Sequence, residues 1–165
     1  MLRGSSFPDQ KIVSVLDANH PPTSTHQRSL RYDVKLAAGN GKGTADWIVR
    51  EKDDDPIYFR NGWFRARHLD ADNLRGMYVR GNSMEPYLYD HDTVIIDVQD
   101  TDIADGEVYA IVFKNKFYVK ELRQFEEGVR IISRNESYEP MEALSAEVKD
   151  ERDFKVLGRV IWRGG

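Results

Sequence analysis

Apolar and polar residues alternate along several short segments of this chain, most of them after residue 57. Alternation with a period of two is typical of half-buried β-strands. The clearest such segments are GMYVRG, TVIIDV, GVRIISRN and FKVLGRVIWRG. EVYAIVFKNKFYVKEL alternates on both sides of KNK and therefore predicts a β-hairpin. Helical periodicity is limited to a short turn expected at Trp63 and Phe64, so the pattern predicts a mainly β barrel or sandwich.

The first part of the chain lacks this alternation. Residues 1–31 are polar and are interrupted by Pro8 and by the Pro21–Pro22 pair, a composition typical of a linker. A short strand-like run then leads into AAGNGKG, whose glycines favour an exposed loop. The divisions we expect are a flexible N-terminal arm at 1–31, a loop-bearing segment at 32–46 and a β domain at 47–165.

Composition and charge exclude several functions. The chain has 165 residues, no cysteine and a net charge of −4. The absence of cysteine excludes disulfides, a thiol nucleophile and cysteine-based zinc sites. The acidic balance differs from that of a self-sufficient nucleic-acid binder. Because the sequence has neither a membrane-spanning apolar run nor a signal-peptide pattern, we expect a cytoplasmic protein without membrane association.

Two apparent ligand motifs are weak. A phosphate-binding loop requires a glycine, four residues and then Gly-Lys-Ser/Thr. Here Leu36 occupies the first glycine position and Gly43 follows Lys42, so we do not expect nucleotide binding. Asp90, His91 and Asp92 are consecutive turn residues that rarely converge on one ion. We therefore expect no metal and no cofactor.

Ser83 is the candidate nucleophile, in a Gly-Asn-Ser-Met-Glu-Pro turn between two apolar runs. A serine becomes a good nucleophile when a base accepts its proton. The histidines all lie in polar segments and are expected to be solvated. They are His20, His26, His68 and His91.

Lysine is the remaining candidate base, and it can act as one if burial keeps it largely neutral. Lys114 and Lys116 flank the hairpin turn, where solvent reaches them. Lys120 lies in an apolar run, and alternation places it on one strand face with Tyr118 and Leu122. Periodicity alone favours the alternative, a lysine that extends to solvent from a strand edge.

Four segments together resemble a known family: VRGNSMEPYLYDHDTVIID, GEVYAIVFKNKFYVKEL, IISRNESYEP and VLGRVIW. Their order and spacing are similar to those of the LexA-like self-cleaving proteins, peptidase family S24. That family includes LexA, lambdoid phage repressors and the UmuD mutagenesis proteins. The resemblance covers residues 32 to 163 and implies a LexA/signal-peptidase-like β-barrel or sandwich.

The resemblance also implies roles for individual residues. Ser83 matches the family's nucleophile and Lys120 its general base. The family cuts its own chain, and Ala38–Gly39 in the 32–46 segment matches the bond that is cut. The other matched positions are the oxyanion and serine turn at Gly81, Asn82, Met84 and Pro86, the Asn-x-x-Tyr segment at Asn135 and Tyr138, and the last strand at Gly158 and Val160.

Two residues depart from the family pattern. Asn82 stands where the family usually has aspartate, and asparagine tolerates tight turns nearly as well. His91 stands where the family usually has glycine, at a position where φ is expected to be positive. Histidine tolerates that conformation better than most residues. We expect both departures to affect the rate of cleavage more than its occurrence.

The expected function is that of the self-cleaving serine peptidase domain of a phage-type transcriptional repressor, cleaved in a DNA-damage response. The resemblance implies a homodimer, a RecA–single-stranded-DNA filament as coprotease, and operator DNA contacted only through an N-terminal domain outside these residues. Two alternatives stay open: a UmuD-like mutagenesis protein, and a repressor dimerisation module that does not cleave. Signal peptidases share the Ser-Lys chemistry but require a membrane anchor.

Overall fold

The computed structural model describes residues 13–14, 25–29, 32–36, 45–49 and 57–165, and the mainly β fold expected from the sequence is confirmed. The strands are β1 Val13–Ser14, β2 His26–Ser29, β3 Tyr32–Leu36, β4 Ala45–Val49, β5 Ile57–Arg60, β6 Leu74–Tyr78, β7 Thr93–Asp97, β8 Val108–Phe113, β9 Lys116–Phe125, β10 Gly128–Ile132, β11 Met141–Leu144 and β12 Phe154–Gly164. The helices are α1 Asn61–Arg67, a 3-10 turn at Ala71–Asn73 and α2 Ser145–Val148. Ala38, Gly39 and most of 1–31 lie outside the described residues.

A seven-stranded antiparallel sheet forms the body of the domain, in the order β11-β10-β9-β8-β12-β7-β6. The predicted hairpin is β8–β9, in which Phe113 pairs with Lys116. Its two-residue turn, Lys114 and Asn115, has φ values of 48° and 59°. Positive φ at both turn residues gives the twist that a two-residue hairpin requires.

Two smaller sheets complete the described strands. β5 pairs with both β1 and β2, and β3 pairs with β4 in a separate hairpin. The helical turn expected at Trp63 and Phe64 is part of α1, which directly follows β5. Both aromatic rings pack on Phe59, with the Trp63 ring stacked at 4.4 Å between centroids. α1 ends at Arg67, and the capping residue His68 adopts the left-handed conformation with φ 54°.

β8 is buried along its whole length because apolar residues pack on both faces of the large sheet. On one face, β8 side chains pack against those of β6, β7 and the connection between these two strands. On the other face, they pack against side chains of β10 and β11. Each fully buried aliphatic side chain contributes on the order of 1.5–3 kcal/mol to the free energy of unfolding. β9 is the immediate neighbour of β8, so a charged side chain on β9 is held close to this core.

A glycine permits a close contact between β12 and β7 in the large sheet. At Gly158 a Cβ atom would lie 2.3 Å from the Asp97 carbonyl oxygen, and φ is 151°. The register of β12 against β8 shifts between Val156 and Gly158. The close approach of the Asp97 backbone therefore explains why position 158 requires a glycine. No helix within the described ranges is long and apolar enough to cross a membrane.

Candidate active site

Ser83 lies in the connection between β6 and β7, and two paired contacts close that connection at its base. The Val79 N–H donates to the Asp92 carbonyl at 2.8 Å, and the His91 N–H donates to the Val79 carbonyl at 2.9 Å. Gly81 adopts φ 84°, which a side chain would strain. Its N–H donates to the Asp90 carboxylate at 2.7 Å. Contacts within the β6–β7 connection itself therefore hold the serine turn.

Met84 and Leu88 anchor the serine turn in the hydrophobic core. Met84 is 2% exposed and Leu88 is fully buried, and both belong to the cluster formed with β6, β7 and β8. The Leu88 N–H donates to the Met84 carbonyl at 2.9 Å, so the two residues form one local turn. The methionine that directly follows Ser83 therefore ties the serine backbone to the core.

The connection between β10 and β11 contacts the serine turn from the other side. The Asn135 N–H donates to the Ser83 carbonyl at 3.1 Å. The Asn135 side-chain amide donates to the Asn82 carbonyl at 3.0 Å. The Tyr138 hydroxyl donates to Asn82 Oδ1 at 2.6 Å. Because the Asn82 side chain accepts the Tyr138 hydrogen bond through Oδ1, an aspartate at this position would present the same kind of acceptor.

Lys120 lies on β9 and is only 5% exposed, so the expectation of a solvent-directed lysine is wrong. Its Nζ is hydrogen-bonded to Ser83 Oγ. None of the described carboxylates forms an ion pair with it. Burial lowers the pKa of the Lys120 ammonium from its ordinary value of 10.5 to about 8. A substantial fraction of Lys120 is therefore neutral under mildly alkaline conditions.

A cavity of about 490 Å³ opens beside this pair. Its walls are the 77–80 segment, Ser83, Met84 and the 117–120 segment of β9. β3 lies against β6 and β9, the two strands that contribute to these walls. The Trp47 side chain of the partner strand β4 packs on the adjoining core cluster. The β3–β4 hairpin therefore stands next to the cavity, and residues 37–44 connect its two strands.

No histidine is among the described residues that line the cavity beside Ser83 and Lys120. His91 has the expected positive φ, at 69°, and its side chain is 76% exposed. Its Nε2 lies 3.2 Å from Asp90, and His26 contacts the neighbouring Thr25 hydroxyl at 2.9 Å. His68 is exposed, and His20 lies outside the described residues. In the part of the chain that the structure describes, no group of three potential metal ligands occurs.

Three residues near the site make contacts that the sequence analysis did not anticipate. Asp90 holds the Gly81 N–H, and Glu121 is buried directly after Lys120. Arg134 forms an ion pair with Glu121 at 2.5 Å. The only sequence signal was an acidic residue between Lys120 and Leu122 in an apolar strand, which by itself does not identify a partner.

The fold and these contacts define a class: a mainly β domain in which a buried strand lysine contacts a turn serine. Residues 32–161 match the model of the Peptidase S24-like family, and the chain belongs to that family.

Individual relatives are similar to this chain over most of its length. The HTH-type transcriptional regulator PrtR of Pseudomonas aeruginosa is 33% identical over 131 residues, covering 79% of this chain and 50% of that protein. Repressor protein CI of Enterobacteria phage phi80 is 30% identical, covering 91% of this chain and 61% of its own length. The LexA repressor of Thermosipho africanus is 29% identical over 128 residues, covering 77% of this chain and 57% of that protein. The chain thus spans about 50–61% of the length of these relatives.

Proposed function

We propose that this chain is the self-cleaving serine peptidase domain of a transcriptional repressor. Ser83 is the nucleophile, Lys120 is the general base, and the bond cut is Ala38–Gly39 of the chain itself. The observation that carries the proposal is the hydrogen bond between Ser83 Oγ and the buried Lys120 Nζ. A buried lysine with a lowered pKa and no carboxylate partner among the described residues can accept a proton from a hydroxyl.

The chemistry proceeds in two stages. Neutral Lys120 accepts the Ser83 hydroxyl proton as Oγ attacks the Ala38 carbonyl carbon. The tetrahedral intermediate collapses, the Gly39 nitrogen takes the proton from Lys120 and leaves as an amine, and Ala38 remains as an ester on Ser83. Water then attacks the ester as neutral Lys120 accepts its proton. The tetrahedral intermediate collapses with transfer of that proton from Lys120 to Ser83 Oγ, which restores the Ser83 hydroxyl and releases the carboxyl group of Ala38.

The oxyanion of the tetrahedral intermediate requires backbone donors that are not already in use. The Gly81 N–H donates to Asp90 and is therefore not available. Within the described part of the chain, the N–H groups of Asn82, Ser83 and Met84 donate to no acceptor. We assign oxyanion binding to this group of three donors, with Gly81 shaping the turn that presents them.

The position of the β3–β4 hairpin supports cleavage of the chain's own bond. β3 runs beside β6 and β9 and leads directly into residues 37–44, which include Ala38 and Gly39. A tethered substrate is present at high effective concentration, so the site needs no separate affinity for it. Cleavage would separate everything before Gly39 from the β domain.

A repressor role follows from the relatives, which are named as transcriptional regulators and repressors. In this proposal an additional DNA-binding domain contacts the operator, this domain forms a homodimer, and a RecA–single-stranded-DNA filament promotes cleavage. Severing the chain at Ala38–Gly39 would detach the DNA-binding part and end repression after DNA damage.

Intact-mass measurements test the proposal. The purified chain is incubated for hours at pH 7 and pH 10, beside Ser83→Ala, Lys120→Ala and the exposed-lysine control Lys116→Ala. We expect a fragment of residues 39–165, formed faster at pH 10, in the parent chain and in Lys116→Ala only. If all chains stay whole at both pH values and also with an activated RecA filament, the proposal is wrong and a non-cleaving dimerisation module is the better account.

A further inference from the structure

Glu121 is the most deeply buried carboxylate near the site, at 3% exposure, and it directly follows Lys120 on β9. Two guanidinium groups neutralise it. Arg123 Nε lies 2.7 Å from one carboxylate oxygen, and Arg134 Nε lies 2.5 Å from the other. Because an unpaired carboxylate is costly to bury, the two ion pairs fix the Glu121 side chain in one geometry.

Arg134 extends this contact to the serine turn. Its guanidinium lies over the Tyr87 ring at 5.1 Å from the centroid, and its Nη2 donates to the Gly106 carbonyl at 3.1 Å. Arg163 lies over the same ring at 4.6 Å, and its Nη1 donates to the Tyr87 carbonyl at 2.7 Å. Tyr87 packs on the core cluster that also contains Met84. Arg134 thus contacts both the lysine strand and the turn that carries Ser83.

The next residue completes the connection. Asn135 directly follows Arg134, and its N–H donates to the Ser83 carbonyl at 3.1 Å. Two consecutive residues therefore contact the neighbour of Lys120 on one side and Ser83 itself on the other. A single short segment can fix the distance between the two reacting groups only if both of its contacts hold.

We propose that Arg134, through its ion pair with Glu121 and its contact with Tyr87, is a positioning residue that keeps Lys120 within hydrogen-bond reach of Ser83. This role rests on the proposed self-cleavage. Arg134 touches no reacting atom, so its loss changes how often the two groups meet. Misplacement of a reacting group by about 1 Å can lower a rate on the order of a hundredfold.

The test compares Arg134→Gln, Glu121→Gln and the double variant, with Arg134→Lys as the conservative replacement. The matched control is Arg130→Gln, which removes an exposed ion pair to Glu142 at 3.1 Å elsewhere on the same sheet. Self-cleavage rates are measured at pH 10, where Lys120 is neutral, and thermal unfolding checks that each variant folds.

We expect Arg134→Gln to slow cleavage on the order of tenfold or more, Arg134→Lys to recover part of the rate, and Arg130→Gln to leave it unchanged. The double variant should be no slower than the slower single variant, because both changes break the ion pair between Arg134 and Glu121. Should Arg134→Gln not fold, Glu121→Gln provides the same test. A cleavage rate at the parent level in either folded single variant would overturn the inference and leave the proposed function standing.

A crystal structure of Arg134→Gln separates this inference from the proposed function. If the parent chain never cleaves, the proposed function fails, and the inference is decided by the Ser83–Lys120 distance alone. A separation beyond hydrogen-bond reach in Arg134→Gln, with the contact retained in Arg130→Gln, supports the positioning role. An unchanged Ser83–Lys120 contact in Arg134→Gln contradicts it.

Discussion

Lys120 and Glu121 are consecutive residues of β9 with nearly equal burial, at 5% and 3% exposure, and opposite electrostatic surroundings. Glu121 meets two guanidinium groups, whereas Lys120 meets the Ser83 hydroxyl and no described carboxylate. Burial with counter-ions retains a charge, and burial without them favours the neutral form. The comparison indicates that ionic partners, more than depth of burial, decide whether a buried ionisable side chain is stabilised in its charged or in its neutral form.

Among the substitutions that test this difference between Lys120 and Glu121, we expect Lys120→Arg to change the self-cleavage rate most. Arginine has a similar length but stays protonated at every working pH, so it cannot accept the Ser83 proton. We expect self-cleavage to fall on the order of a thousandfold or more, measured by intact mass at pH 10. Lys116→Arg, on the exposed end of the same strand, serves as the control and should cleave at the parent rate.

The pH dependence of self-cleavage gives the next largest effect. Burial lowers the pKa of Lys120 to about 8, so roughly a tenth of the molecules carry the neutral amine at pH 7. We expect the rate to rise on the order of tenfold between pH 7 and pH 10, with a midpoint near 8. A rate that is flat across this range, or that rises only above pH 10, would show that the titrating group is not a buried lysine.

Substitutions of Lys120 and Glu121 should change the free energy of unfolding in opposite directions. Lys120→Met removes the cost of burying an ammonium and should raise the free energy of unfolding at pH 7 on the order of 1 kcal/mol. Glu121→Gln weakens two charge-assisted contacts and should lower it by about 1–3 kcal/mol. Urea unfolding measures both, and equal signs for the two substitutions would contradict the comparison.

Linkage fixes the direction of the pH effect on stability. The lysine pKa is about 8 in the folded chain and 10.5 in the unfolded chain, so the unfolded chain binds more protons between these values. The contribution of Lys120 to stability should therefore rise from pH 8 to pH 10.5 and be lost as the pH falls through 8. The advantage of Lys120→Met over the parent chain should shrink across the same window.

We expect the smallest effect on the self-cleavage rate from Tyr138→Phe. This substitution alters a contact of the serine turn and leaves the contacts of Lys120 and Glu121 in place. It removes one exposed hydrogen bond, from the Tyr138 hydroxyl to Asn82 at 2.6 Å. We expect the self-cleavage rate to fall by roughly twofold to tenfold, since one neutral hydrogen bond contributes about 1 kcal/mol. The midpoint of the pH profile should stay where it is, and a shifted midpoint would mean that the serine turn sets the lysine pKa.

Local features of the fold were predictable from the sequence, and non-local ones were not. The β8–β9 hairpin and the short helix at Trp63 followed from alternation and turn residues alone. The order of the large sheet depends on β12 lying between β7 and β8, which no local pattern encodes. The left-handed His91 was expected from its turn position and is present.

The candidate site divides in the same way. Alternation alone favoured a solvent-exposed Lys120, because its burial depends on β6, β8 and the serine turn packing around it. The resemblance to LexA-like proteins paired it with Ser83 before any geometry was known. Glu121 and Arg134 lie within the segments that resemble the family, but the resemblance assigns neither of them a role, and no local pattern pairs residues 13 positions apart in different structural elements.

The most direct test of the account is a titration of the Lys120 side-chain nitrogen by NMR in Ser83→Ala, which cannot cleave itself. The account predicts a midpoint of about 8, because burial alone lowers the pKa and the substitution does not expose the site. A midpoint near 10.5, the ordinary value for lysine, would contradict the account. Lys120 would then be almost entirely protonated at neutral pH and could not accept the Ser83 proton.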